Sequence, residues 1–271
     1  MRRERIIVVL LLLPSIVWLV AVGGWVYNLI ITLILSLAAL EYGRLFIPSG
    51  LRPSLPLLAG GTAALALARG LSLDICTFLL STLIMITLIW HLVDFERGAE
   101  TSGTDFAITV SGILYVGWIG SYLISLRAMP DGLWWLLLAL PSTWMADSAA
   151  YLVGSRWGKR HLAPRLSPNK TWEGYLAGVV AGTVLGGVFA VLWRIGAGSD
   201  SLLSWNSGML MGFLLSVFCT LGDLGISMFK RQLHVKDTGH LLPGHGGALD
   251  RIDTWIWAAA LGQAVVWLLV R

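Results

Sequence analysis

The 271-residue chain is 56% hydrophobic and only 13% charged, with a mean hydropathy of +0.78, which is too apolar for a soluble core-and-shell protein. Its formal charge of +4 and pI near 9.3 would suit nucleic acid in a soluble protein, but here the basic residues lie between apolar runs, where they bias topology and meet anionic lipid headgroups. Composition therefore points to an all-α, polytopic integral membrane protein and away from a nucleic-acid binder.

Met1-Arg-Arg-Glu-Arg5 precedes an apolar run from Ile6 to Val22. That run resembles a signal peptide, but it exceeds the usual h-region of about 7–15 residues and another span follows at once, so an uncleaved first helix is expected. Further apolar runs cover 25–40, 56–68, 73–93, 107–126, 132–153, 175–194, 205–223 and 252–270, giving about nine transmembrane helices. The run 56–68 is short against the about 20 residues a bilayer requires and reads as re-entrant or tilted with its flanks. With the N-terminus cytoplasmic, 15 of the 19 Lys and Arg fall in inner segments, leaving Arg69, Arg127, Arg194 and Arg271 outside, as the positive-inside rule requires. Spans one to five form an N-terminal region, 1–130. Spans six to nine, with cytoplasmic loops 154–174 and 224–251, form a C-terminal catalytic region, 131–271.

Tryptophans at span ends, including Trp25, Trp134, Trp135, Trp157, Trp172, Trp193 and Trp205, fit an interfacial belt. Gly178, Gly182 and Gly186 recur every four residues, as do Gly208 and Gly212, so both helices can approach neighbours closely; these faces permit a homodimer without requiring one. Cys76 and Cys219 sit in apolar runs at opposite membrane faces and read as packing residues rather than a disulfide.

The densest charge lies at 227–253, which holds Lys230, Arg231, Lys236, Asp237, Asp250, Arg251, Asp253 and three of the five histidines. Such cations alone would enforce topology, but carboxylates and glycines accompany them. Asp223 closes the eighth span, and Asp250 and Asp253 share one helical face at the start of the ninth. Carboxylates are costly inside a span, so several at one depth suggest a site, and all-oxygen ligands suit Mg²⁺ with substrate phosphates. Asp147, about 9 Å inside the cytoplasmic boundary at 1.5 Å per residue, reads equally as a structural group or as part of that site. In 154–174, Lys159, Lys170, Ser167 and Thr171 are candidates to hold phosphate oxygens, with Ser167 or Thr171 equally suited to cap the seventh helix.

Pro243-Gly-His-Gly-Gly247 allows close backbone approach to a ligand. It is not a Walker loop, and His234, His240 and His245 lack the cysteine partners and spacing of a zinc site. Together the residues suggest phosphoryl or nucleotidyl transfer, with a lipid phosphate and a soluble nucleotide as substrates.

The segment from Ser227 to Asp253 resembles the signature of the phosphatidate cytidylyltransferase (CDP-diacylglycerol synthase) family. The matching residues are Ser227, Phe229, Lys230, Arg231, Lys236, Asp237, Gly239, Leu242, Pro243, His245, Gly246, Gly247, Asp250, Arg251, Ile252 and Asp253, with Ala248 the one departure. Asp147-Ser-Ala-Ala-Tyr151 and Ser167-Pro-Asn-Lys-Thr-Trp-Glu-Gly174 are similar to the family as well. The resemblance implies that CTP and phosphatidic acid give CDP-diacylglycerol and pyrophosphate, with Mg²⁺ required and a second metal ion allowed. It implies Asp223 and Asp250 as metal ligands, joined by Asp253 or Asp147 in orienting metal or cations. It also implies Lys230, Arg231 and Lys236 on phosphates with Lys170 serving from the other loop, and the candidates toward substrate are Lys159, Ser167, Lys170, Thr171, His245, Gly246, Gly247 and Arg251. Expected partners are CTP, phosphatidic acid and other membrane lipids, and the expected location is a bacterial inner membrane with the site on its cytoplasmic face. The rival readings are a transporter or channel lined by Asp147 and the glycine-rich helices, and a CTP-dependent lipid kinase.

Overall fold

The computed structural model describes residues 14–239 and 246–270. Each apolar run marked in the sequence is helical over most of its described part: α1 (14–22), α2 (Gly24–Arg44), α3 (Leu55–Gly70), α4 (Cys76–Glu96), α5 (Ser102–Gly112), α6 (Tyr122–Ala128), α7 (Gly132–Trp157), α8 (Trp172–Ala197), α9 (Trp205–Gln232) and α10 (Leu249–Val270). A π-helical stretch, Ile113–Ile119, joins α5 to α6 within one apolar span. Among the described residues seven helical stretches are long and apolar enough to cross a membrane, against the nine spans expected. The difference lies in α3, at 16 residues too short for a perpendicular crossing, and in the first run, which falls partly outside the described residues.

Helix ends depart from the apolar runs in one consistent way. The α9 helix continues nine residues past Asp223 to Gln232, so the first part of the expected loop 224–251 is helical. Hydropathy drops at the first charges, but Lys, Arg and Gln are good helix formers, and nothing breaks the helix before Leu233. Asp223 and Lys230 thus stand seven residues apart on one rigid helix, about 10.5 Å along its axis at 1.5 Å per residue.

A second departure is a two-stranded antiparallel hairpin, β1 (His161–Ala163) and β2 (Ser167–Thr171), inside the expected loop 154–174. The fold is all-α, and among the described residues this hairpin is its one two-stranded sheet.

The chain packs as two compact units. The first comprises residues up to Ser125 together with Gln232–Ile252. Within it the Tyr27 hydroxyl donates to the Leu123 carbonyl (3.0 Å), and buried Asp105 accepts from the Arg52 amide (2.6 Å) and the Thr101 hydroxyl (2.7 Å). A buried carboxylate would be costly without such donors.

The second unit comprises Leu126–Arg231 and Asp253–Arg271, and its framework is the contact of α8 with α7 and α9. Gly178 lies against the Ala146 carbonyl of α7, Gly182 against Ser216 of α9, and Gly186 against the backbone of Gly208 and Gly212. A Cβ at Gly186 would stand 3.0 Å from the Gly212 Cα, so these helices meet backbone to backbone. Gly186→Val is expected to push α8 from α9 and cost about 1–3 kcal/mol or more, read as a lower Tm in detergent; Val180→Leu on the exposed face of α8 should leave Tm unchanged. Trp135 corrects the belt reading, because it is buried at 1% exposure and serves the core, whereas Trp25, Trp157, Trp172 and Trp205 are exposed. Cys76 and Cys219 are both free.

Candidate active site

In the second unit the polar residues are positioned by the hairpin and by the ends of α7, α8 and α9. The Glu173 carboxylate, in the first turn of α8, accepts the backbone amides of Lys159 (3.0 Å) and Arg160 (3.2 Å). The Trp172 amide donates to the Arg160 carbonyl (2.9 Å), and the Arg231 guanidinium donates from Nε to the Leu166 carbonyl at the hairpin tip (3.2 Å). Thr171 settles the choice of cap: its hydroxyl accepts the Gly174 amide (3.2 Å) at the start of α8, satisfying one of the helix's unpaired N–H groups. Its neighbours Gly154 and Gly158 leave no space for a β-carbon. Thr171 is buried, while Ser167 is half-buried at the start of β2 and Lys159 is exposed.

The hairpin delivers Lys170 to Asp223. The two form an ion pair at 2.7 Å with side chains 27% and 32% exposed. Asp147 of α7 lies close enough to interact electrostatically with both, and it lines a cleft with Thr143, Tyr175, Ser216 and Cys219 that has room for about one water. Asp253 is buried at the start of α10, and its carbonyl abuts Gly222, next to Asp223. The second unit therefore gathers Asp147, Lys170 and Asp223 and holds the Asp253 backbone against α9. Lys230 is half-buried and Arg231 exposed at the end of α9.

In the first unit are Lys236, Gly246, Gly247, Asp250 and Arg251; His245 lies outside the described residues. Asp250 Oδ2 accepts from the Thr238 amide (2.8 Å), the Thr238 hydroxyl (2.9 Å) and the Gly247 amide (3.1 Å). This carboxylate ties the two described ends of the glycine-rich segment together. Gly246 has φ of 79°, a left-handed conformation that favours glycine, and a Cβ there would reach within 2.7 Å of Asp250 Oδ2. Lys236 and Arg251 are exposed.

The residue that sequence reasoning missed is Glu41. It lies near the end of α2 at 8% exposure, and its Oε2 accepts the Leu249 amide (2.9 Å) and faces the Thr238 hydroxyl at 3.2 Å. The available signal was a lone carboxylate directly after an apolar run, where burial is expensive unless partners are supplied.

The donors fit a divalent cation. In the second unit the side-chain oxygens of Asp147 and Asp223 are hard ligands, as are those of Asp250 in the first, and among the described residues no three His, Cys, Asp or Glu converge into a cage. Mg²⁺ is typically held by one or two carboxylates together with substrate phosphates. The Asp223 carboxylate already holds one positive group, the Lys170 ammonium.

A phosphatidate cytidylyltransferase of Synechocystis is 32% identical over 300 aligned positions, covering 100% of this chain and 98% of that protein. One from Bacillus subtilis is 42% identical over 151 residues, 55% of this chain and 54% of its own, and one from Staphylococcus haemolyticus is 38% identical over 157 residues, 58% and 57%. The model of the cytidylyltransferase family matches residues 3–269, and the chain belongs to that family.

Proposed function

We propose that the chain transfers a cytidylyl group from CTP to phosphatidic acid, giving CDP-diacylglycerol and pyrophosphate. A non-bridging oxygen of the lipid phosphate forms a bond to the α-phosphorus of CTP. The bond from that phosphorus to the α,β-bridging oxygen breaks, and pyrophosphate leaves with the electron pair. Lipid phosphate is anionic at neutral pH, so positioning and charge neutralisation carry the catalysis rather than a strong base. The observation that carries this reading is the Lys170–Asp223 pair, which joins a cation from a segment similar to the family to a carboxylate four residues before the signature.

In this reading Lys170, Lys230, Arg231 and Lys236 neutralise the phosphates of nucleotide and lipid, and Lys159 and Arg251 contribute from exposed positions. Asp223 and Asp250 are assigned to Mg²⁺, with Asp147 and Asp253 orienting metal or cations. The bound ion would draw negative charge from the phosphoryl oxygens. Ser167 offers a hydroxyl to phosphate, and Gly246 lets the backbone come close to it, while the Gly247 amide is given to Asp250. The site acts at the cytoplasmic face of a bacterial inner membrane, where a soluble nucleotide and a lipid headgroup meet; the seven apolar helices support the membrane setting.

The test is pyrophosphate release by purified protein in detergent with CTP, phosphatidic acid and Mg²⁺. Release that requires both substrates is the expected result. CDP instead of pyrophosphate would make the protein a lipid kinase, and flux across proteoliposomes without nucleotide would make it a transporter.

A further inference from the structure

Glu41 has no part in the chemistry above, yet it is a carboxylate at 8% exposure whose neighbours belong to the signature segment. It accepts the Leu249 amide at 2.9 Å and stands 3.2 Å from the Thr238 hydroxyl. That same hydroxyl stands 2.9 Å from Asp250 Oδ2. A threonine hydroxyl carries one hydrogen and two acceptor lone pairs, so it donates to only one of the two carboxylates at a time.

The surrounding glycines keep this arrangement in place. A Cβ at Gly239 would lie 2.6 Å from Glu41 Oε1, and one at Gly247 would overlap Glu41 Oε2 and lie 2.6 Å from the Thr238 hydroxyl. Gly239 and Gly247 therefore admit a protein carboxylate, which gives these signature positions a reason independent of substrate. Thr238 is itself 6% exposed, so solvent is poorly placed to substitute as acceptor if Glu41 is removed.

We propose that Glu41 is a positioning residue for the signature segment: it is the alternative acceptor for the Thr238 hydroxyl, so that Asp250 can give its carboxylate to a divalent cation. Without a cation the hydroxyl hydrogen is shared with Asp250. With a cation on Asp250, positive charge disfavours a hydrogen pointing at it, and the hydroxyl turns its hydrogen to Glu41. Leu249, next to Asp250 in the chain, stays fixed by its amide in both arrangements. The inference rests on the assignment of Asp250 to the metal, and it concerns residues of the first unit alone.

The experiment compares wild type with Glu41→Ala, Glu41→Gln, Thr238→Val and the double variant Glu41→Ala/Thr238→Val, all purified in detergent. The first readout is the Mg²⁺ concentration giving half-maximal pyrophosphate release. The second is amide hydrogen exchange at Leu249 in substrate-free protein, which needs no activity. Groups that orient a metal-binding side chain typically contribute about 10–100-fold to metal affinity. Glu41→Ala is thus expected to raise the Mg²⁺ requirement at least about tenfold with the KM for phosphatidic acid little changed, and to speed Leu249 exchange.

Glu41→Gln keeps an oxygen acceptor and should recover most of both effects. Thr238→Val removes the competing hydrogen and should leave the Mg²⁺ requirement unchanged or lower it without speeding Leu249 exchange. The double variant should need no more Mg²⁺ than Thr238→Val alone, since Glu41 acts on Asp250 through that one hydroxyl; a rise of about tenfold persisting in the double variant overturns the proposal. A Glu41→Ala protein with an unchanged Mg²⁺ requirement overturns the proposal, whether its yield is normal or reduced. If the wild type releases no pyrophosphate, the proposed reaction falls. Leu249 exchange then decides the inference alone, and equal rates in wild type and Glu41→Ala overturn it.

Discussion

Asp250→Asn is expected to reduce CTP-dependent conversion of phosphatidic acid by about a thousandfold while the protein still inserts and purifies normally. The substitution is informative because it separates the hydrogen bonds of Asp250 from the metal role proposed for it. Its Oδ2 takes three hydrogen bonds from Thr238 and Gly247, and an asparagine carbonyl can accept the same three. What asparagine cannot supply is the negative charge. Loss of a metal ligand at a phosphoryl centre removes several kcal/mol of transition-state stabilisation, and about 4 kcal/mol corresponds to about a thousandfold. The measurement is pyrophosphate release, with Tm in detergent as the check on folding. Near-normal turnover would remove Asp250 from the metal and leave it as the tie of the glycine-rich segment.

Lys170→Met is expected to lower kcat/KM by about 10²–10³-fold, the range seen when a preorganised donor to a developing charge is removed. The partner Asp223 separates function from stability here. With both side chains about one-quarter to one-third exposed, a half-solvated ion pair contributes only about 0–1 kcal/mol, so Tm should barely move. Methionine keeps the unbranched stem that rises from β2, and the change is confined to the ammonium. Lys170→Arg, which keeps the charge on a wider head, should recover part of the rate. A large fall in Tm with turnover retained would show Lys170 to be a brace for α9 instead.

Much of this was legible in the sequence because membrane helices write themselves as long apolar runs, and every run from 25–40 onward coincides with a helix. The polar signature was equally plain, since Lys230, Arg231, Asp250 and Asp253 are conspicuous in a chain with few charges. What escaped were features that hydropathy does not encode. The strands at 161–163 and 167–171 are short and carry Pro168 and Asn169, poor strand formers. Their pairing is fixed by Glu173 and Trp172 from the following helix. Glu41 escaped because its partners Thr238 and Leu249 lie 197 and 208 residues away, and no local pattern announces so distant a contact. The continuation of α9 to Gln232 was hidden by reading the end of an apolar run as the end of a helix. The cap was undecided between Ser167 and Thr171 because both have the right chemistry, and only the start of α8 at Trp172 selects the second.

The hairpin also bears on the order of assembly. Its strands pair His161 with Thr171 and Ala163 with Ser167, and the groups that fasten it to Glu173 and Trp172 lie within 14 residues. Local pairing of this kind closes in about 1–10 μs. Asp223 follows Lys170 by 53 positions, which at about 5–20 residues per second is roughly 3–10 s of synthesis. On a nascent chain, Lys170 therefore reaches its place on a finished local structure well before its partner is made, and the α9 carboxylate docks onto a waiting cation.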